Sequence, residues 1–121
     1  AGHVIIGDGV HIGGLSGIHQ FVRIGEGAFV GALSMVTKDV IPYGMVYGER
    51  ARLMGLNLVG LRRTGFEAEM IKGLKTVYTE IFSDSGTLQS RLEIIENTGN
   101  PLVDKLLTFV GGENNRSLLC P

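Results

Sequence analysis

The chain has no tryptophan, one cysteine and three prolines in 121 residues, and its formal charge is −1. Each scarcity excludes something. A net charge this close to zero gives no electrostatic basis for a nucleic-acid scaffold or a membrane-surface protein. No apolar run approaches the roughly 18 residues that span a bilayer. The opening Ala1-Gly2-His3 is no signal peptide. Cys120 has no second cysteine to pair with, so no internal disulfide framework exists, which suits a reducing compartment. These properties describe a soluble cytoplasmic protein with one modest core.

What is abundant is a repeat. Every sixth residue from Ile6 to Val36 is a bulky aliphatic: Ile6, Ile12, Ile18, Ile24, Val30 and Val36. Gly7, Gly13, Gly25 and Gly31 follow four of them, and small or β-branched residues such as Val10, Ser16 and Val22 stand four positions after. A period of six fits neither a helix nor an ordinary strand. It fits a parallel β-helix whose hexads form the faces of a triangular prism, aliphatics inward. Three hexads make a coil of 18 residues, so Ile6–Arg23 and Ile24–Ile41 are two coils. Val4 already sits inside a hexad, and solenoids need several coils and capped ends. The chain therefore reads as the C-terminal part of a longer β-helix.

The repeat decays over Thr37–Gly44, where Pro42 and Gly44 break it. The expected division is a β-helix over 1–44 and a linker plus C-terminal helical subdomain over 45–121, with 45–55 a connecting segment. Thr64 and Glu67 have capping-box spacing. Beyond them Phe66, Met70, Ile71, Leu74, Val77, Tyr78, Ile81 and Phe82 form one apolar helical face. Thr87 is expected to cap a second helix and Asn100-Pro101 to open another, stopped by Gly111-Gly112. Glu113–Pro121 reads as a tail.

Candidate chemistry is sparse. His3, His11 and His19 are evenly spaced, but an 18-residue coil places His3 over Phe21, close to His19, and leaves His11 nearly half a coil away. That argues against a metal site. His19 occupies a position where the repeat offers glycine, and Gln20 adds a second hydrogen-bonding group beside it, which marks substrate contact. No Ser-His-Asp or Cys-His order with useful spacing is present, and Cys120 is poorly placed as a nucleophile. Arg50, Arg52, Arg62, Arg63, Lys72 and Lys75 fall within 26 positions, opposed there only by Glu67 and Glu69. Such a cluster suits phosphate, carboxylate or an acidic protein.

Four segments carry a resemblance: Ala1–Val4, Ile18–Phe21, Val36–Tyr43 and Gly55–Phe66. Together they resemble the C-terminal part of the UDP-N-acetylglucosamine O-acyltransferases, first enzymes of lipid A synthesis. The resemblance covers nearly the whole chain and is weakest after about Thr87. It implies a left-handed β-helix, a homotrimer with active sites between subunits, and no cofactor. The implied reaction moves an (R)-3-hydroxyacyl group from the acyl carrier protein thioester to the 3-hydroxyl of UDP-N-acetylglucosamine. A histidine serves as general base. It lies N-terminal to the start of this chain, so no catalytic residue is expected here and the chain alone is expected to be inactive.

By the same resemblance, His3, His19, Gln20, Asn57 and Arg63 contact substrate, and Ala32 falls where the acyl pocket is set. Arg62, Lys72 and Lys75 belong to the surface that docks acidic acyl carrier protein. Val59 and Thr64 depart from the family pattern, where Glu and a second Arg are common. Two other readings share the coils: an acetyl-CoA-dependent hexapeptide acetyltransferase, and a non-catalytic trimerising cap.

Overall fold

The computed structural model describes residues 2–95, 99–111 and 117–121. Six two-residue strands wind the first two turns: β1 (Ile5–Ile6), β2 (His11–Ile12), β3 (Gly17–Ile18), β4 (Arg23–Ile24), β5 (Phe29–Val30) and β6 (Met35–Val36). β1 pairs with β4, β2 with β5 and β3 with β6, all parallel and 18 residues apart. Three separate sheets thus form the faces of a prism, and the hexads mark its sides as their period requires.

The edges are turned by left-handed backbone. His3, Gly9, Leu15, Phe21, Gly27 and Leu33 all have φ between 59° and 68°, one in each hexad. Four of these six are not glycine, although side chains disfavour that region by about 1–2 kcal/mol. Packing between coils holds His3 and Phe21 there. The imidazole of His3 stacks on the ring of Phe21 with centroids 5.0 Å apart.

Ile24, Val30 and Val36 are fully buried, whereas their first-turn equivalents Ile6 and Ile12 are open on one side. Burial of each such side chain contributes roughly 1.5–3 kcal/mol, so the second turn is the better stabilised.

The next turn corrects the expected 18-residue coil. Ile24 bridges Val40, and Phe29 and Val30 pair with Met45 and Val46, a spacing of 16. Two residues are lost between Val36 and Val40. There Asp39, in register with Arg23 and fully buried, accepts from the backbone N–H and Nε of Arg23, each at 2.9 Å. The segment expected to connect is a hairpin instead. β7 (Gly44–Tyr47) continues the β5 sheet and β8 (Arg52–Leu56) returns antiparallel to it.

Four helices follow: α1 (Leu58–Thr64), α2 (Ala68–Ile81), α3 (Leu88–Ile94) and α4 (Pro101–Val110). α2 buries Ile71, Leu74, Val77 and Ile81, the stripe expected from the sequence, and packs on α4 through Leu102, Val103 and Leu106. Thr87 and Ser90 form a reciprocal capping box on α3, and Asn100 caps α4. The Thr64–Glu67 box does not form. Gly65, at φ 92°, ends α1 one residue after Thr64, whose hydroxyl donates to the carbonyl of Gly60. Glu67 caps α2 by position only, without a side-chain bond.

Gly112 and residues 113–116 lie outside the described residues. The rest of the expected tail is docked: Leu118 bridges Asp39, Leu119 is buried, and Cys120 O accepts from Leu53 N. No helix among the described residues is long and apolar enough to cross a membrane.

Candidate functional site

α1 is folded back over the face made by β2, β5 and β7, and a cavity of about 380 Å³ lies between them. Its floor is the outward row His11, Phe29 and Met45, one side chain per turn. His11 and Phe29 stack with centroids 6.1 Å apart. Asn57 and Arg63 stand on the helical side. Arg63 is exposed and makes no ion pair among the described residues, so its guanidinium is available to an anion.

Asn57 has structural work as well. Its Oδ1 accepts from Gly60 N, capping α1, while its Nδ2 donates to the carbonyl of Gly27 at 3.2 Å. Its backbone N–H donates to the carbonyl of Tyr43. The cap is therefore tied to two left-handed corners of the prism, Gly27 and Tyr43.

Tyr43 forms one wall, edge-on to Phe66 with centroids 6.0 Å apart. Its hydroxyl donates to Glu26 Oε2 at 2.8 Å, and Lys105 of α4 pairs with the same oxygen. The hydrogen bond from Lys105, then that from Tyr43, holds the Glu26 carboxyl below its ordinary range. Burial, then the Glu26 carboxylate, pushes the Tyr43 phenol up. A neutral phenol thus donates to a charged acceptor, the stronger kind of hydrogen bond.

His3, His19 and Gln20 do not reach this cavity. They lie along the edge that joins the β3 and β4 faces, opposite the β2–β5–β7 face. The five expected substrate contacts therefore fall into two groups on opposite sides of the prism. Ala32 is exposed and lines neither of the cavities described here. Arg62, Lys72 and Lys75 do come together, around a second cavity of about 450 Å³ with Phe66 and Ile71 in its lining. Among the described residues no three His, Cys, Asp or Glu side chains cluster as metal ligands would.

Sequence reasoning missed His11, Phe29, Tyr43 and Met45. The signal available was position: each of His11 and Phe29 directly precedes an inward aliphatic and so points outward on one face.

Residues 39–119 match the family described as Udp N-acetylglucosamine O-acyltransferase, domain 2, and residues 3–38 match the bacterial transferase hexapeptide. The chain belongs to the UDP-N-acetylglucosamine O-acyltransferase family. The acyl-[acyl-carrier-protein]–UDP-N-acetylglucosamine O-acyltransferase of Paracoccus denitrificans is 47% identical over 121 residues, covering all of this chain and 46% of that protein. The enzyme of the same name from Sinorhizobium fredii is 40% identical, again over the whole chain and 46% of its own length. The Francisella novicida UDP-N-acetylglucosamine acyltransferase structure superposes with a TM-score of 0.90 at 32% identity, covering 100% of this chain and 45% of that one. The Arabidopsis UDP-N-acetylglucosamine acyltransferase structure gives 0.87 at 39% identity, covering 98% and 45%. The chain thus spans a little under half the length of these acyltransferases, and its left-handed β-helix is theirs. In this family member Val59 and Thr64, the two positions expected to depart from the family pattern, both line the cavity beside Arg63.

Proposed function

We propose that this chain supplies the nucleotide-binding and carrier-docking part of an enzyme that acylates UDP-N-acetylglucosamine, the first step of lipid A synthesis, in the cytoplasm. The sugar 3-hydroxyl oxygen attacks the thioester carbonyl of an (R)-3-hydroxyacyl carrier protein. A C–O bond forms, the C–S bond breaks, and the carrier leaves as its thiol. The hydroxyl proton goes to a histidine contributed from outside these 121 residues and from it to the departing thiolate, and no resident cofactor takes part.

The observation that carries this reading is the cavity in which Asn57 and Arg63 meet over the β2–β5–β7 face. Arg63 offers a planar, permanently charged donor set to phosphate oxygens. The apolar floor of Phe29 and Met45 suits the flat, less polar part of a nucleotide. His3, His19 and Gln20 occupy the opposite edge, an arrangement that suits a sugar site completed by a second copy. Leu15 and Leu33, 91% and 63% exposed on another edge, favour a homotrimer that covers them. Arg62, Lys72 and Lys75 around Phe66 and Ile71 form a cationic rim on an apolar floor, complementary to an acidic carrier. Ala32 remains the proposed position setting acyl-chain length.

Calorimetric titrations with UDP-N-acetylglucosamine, acyl carrier protein and acetyl-coenzyme A test the reading. Binding of the first two and not the third is the expected result. Binding of coenzyme A alone would replace it with the acetyltransferase reading.

A further inference from the structure

We propose that Glu26 is a positioning residue for the nucleotide cavity, clamping Tyr43 against α4 and thereby setting Asn57; the affinity part of this proposal rests on the nucleotide reading above. The clamp is built from five contacts. Glu26 Oε2 accepts from the Tyr43 hydroxyl at 2.8 Å and from Lys105 Nζ, so one carboxylate oxygen joins a cavity wall to α4. The backbone carbonyl of Glu26 accepts from Tyr43 N at 2.8 Å. Tyr43 O in turn accepts from Asn57 N, and Gly27 O, one residue past Glu26, accepts from Asn57 Nδ2. Apart from its bonds to Gly60 N and Leu61 N within α1, the hydrogen bonds of Asn57 among the described residues go to the corner that Glu26 and Tyr43 define.

The corner needs a clamp. Tyr43 is a bulky residue at φ 59°, a backbone conformation that its side chain disfavours. It also follows the shortened turn, where the spacing between stacked residues drops from 18 to 16. A hydroxyl anchored to a carboxylate fixes the ring over Gly27, and the ring fills the space a side chain at Gly27 would need. Release of the hydroxyl frees the ring to leave the cavity wall and loosens the carbonyl on which Asn57 N rests. Lys105 keeps the carboxylate charged and oriented from the far side.

Amide hydrogen exchange and nucleotide titration of Tyr43→Phe, Glu26→Ala and the double variant test the clamp. Exchange at the Asn57 and Gly60 amides is expected to accelerate in each single variant, with the amides of α2 unchanged. UDP-N-acetylglucosamine binding weakens on the order of threefold to tenfold in each. The double variant is no weaker than the worse single, because both remove the same bond. Glu26→Asp recovers part of the loss, and Lys105→Met gives a smaller acceleration than Glu26→Ala. Unchanged exchange at Asn57 and Gly60 in both single variants would overturn the clamp, whatever happens to binding. Faster exchange with no nucleotide binding by the parent chain would support the clamp and count against the nucleotide reading instead.

Discussion

Asn57 Nδ2 donates to the carbonyl of Gly27 across 30 residues of sequence, fastening the first helix to a corner of the β-helix. One side chain thereby caps α1, joins the two parts of the chain and faces the cavity. Asn57→Ala is expected to cost about 1–2 kcal/mol in denaturant unfolding through loss of the cap alone. Asn57→Asp keeps the acceptor for Gly60 N and loses the donor to Gly27. It is expected to retain stability better than Asn57→Ala while still weakening nucleotide binding, which titration of both variants will show.

The Arg23–Asp39 pair holds the shortened turn. Asp39 is fully buried and Arg23 nearly so, its guanidinium 4.2 Å from the centroid of the Phe109 ring and bonded to the Phe109 carbonyl. Asp39→Ala strands a buried cation and is expected to cost about 3–5 kcal/mol. Replacing both residues with apolar ones of similar size is expected to cost less than Asp39→Ala. Equilibrium unfolding of the two proteins checks the order.

Two glycines of the repeat differ sharply in what surrounds them. A Cβ on Gly25 would fall 2.7 Å from Pro42 Cα, whereas nothing lies within 4 Å of one on Gly14. Gly25→Ala is expected to lose about 1–3 kcal/mol by overpacking against backbone, and Gly14→Ala to be near neutral. Thermal unfolding of the pair decides it. Equal losses would mean that the coils do not stack as described.

Acid should act through Glu26. Its carboxyl titrates below the ordinary value of 4.5, first because of Lys105 and then Tyr43. A depressed folded-state value stabilises the protein above the unfolded value, and that stability is lost as pH falls through the folded one. The stability gap between the parent chain and Glu26→Gln is therefore expected to be full near neutrality and to close as the solution is acidified below about pH 4. A gap that stays constant with pH would remove the ionised carboxylate from the account.

The β-helix was legible because inward aliphatics at a fixed period of six report one physical demand, stacking around a prism. α2 and α4 were legible for the same reason, through buried stripes and, for α4, the Asn100-Pro101 start. The lost two residues were not. They depend on Arg23 reaching Asp39, a pairing between coils that leaves no local pattern. The hairpin did leave one, since Leu53 and Leu56 are buried and Arg52 and Met54 exposed, but charge and glycine made the segment read as a connection. That Arg62, Lys72 and Lys75 belong to one basic cluster was legible from charge density. His11 was set aside because it is far from His3 along the coil. Its partner is α1, folded over its face from nearly 50 positions later, and hexad spacing says nothing about that.

The most direct test of the account is titration with UDP-N-acetylglucosamine of the parent chain and of Arg63→Ala, with unfolding followed in parallel. Arg63 is exposed and makes no ion pair among the described residues, so its loss should leave stability unchanged. The account predicts saturable binding by the parent chain that weakens at least about tenfold in the variant, as expected for a charged hydrogen-bonding group. Equal binding by both proteins would place the nucleotide elsewhere and contradict it.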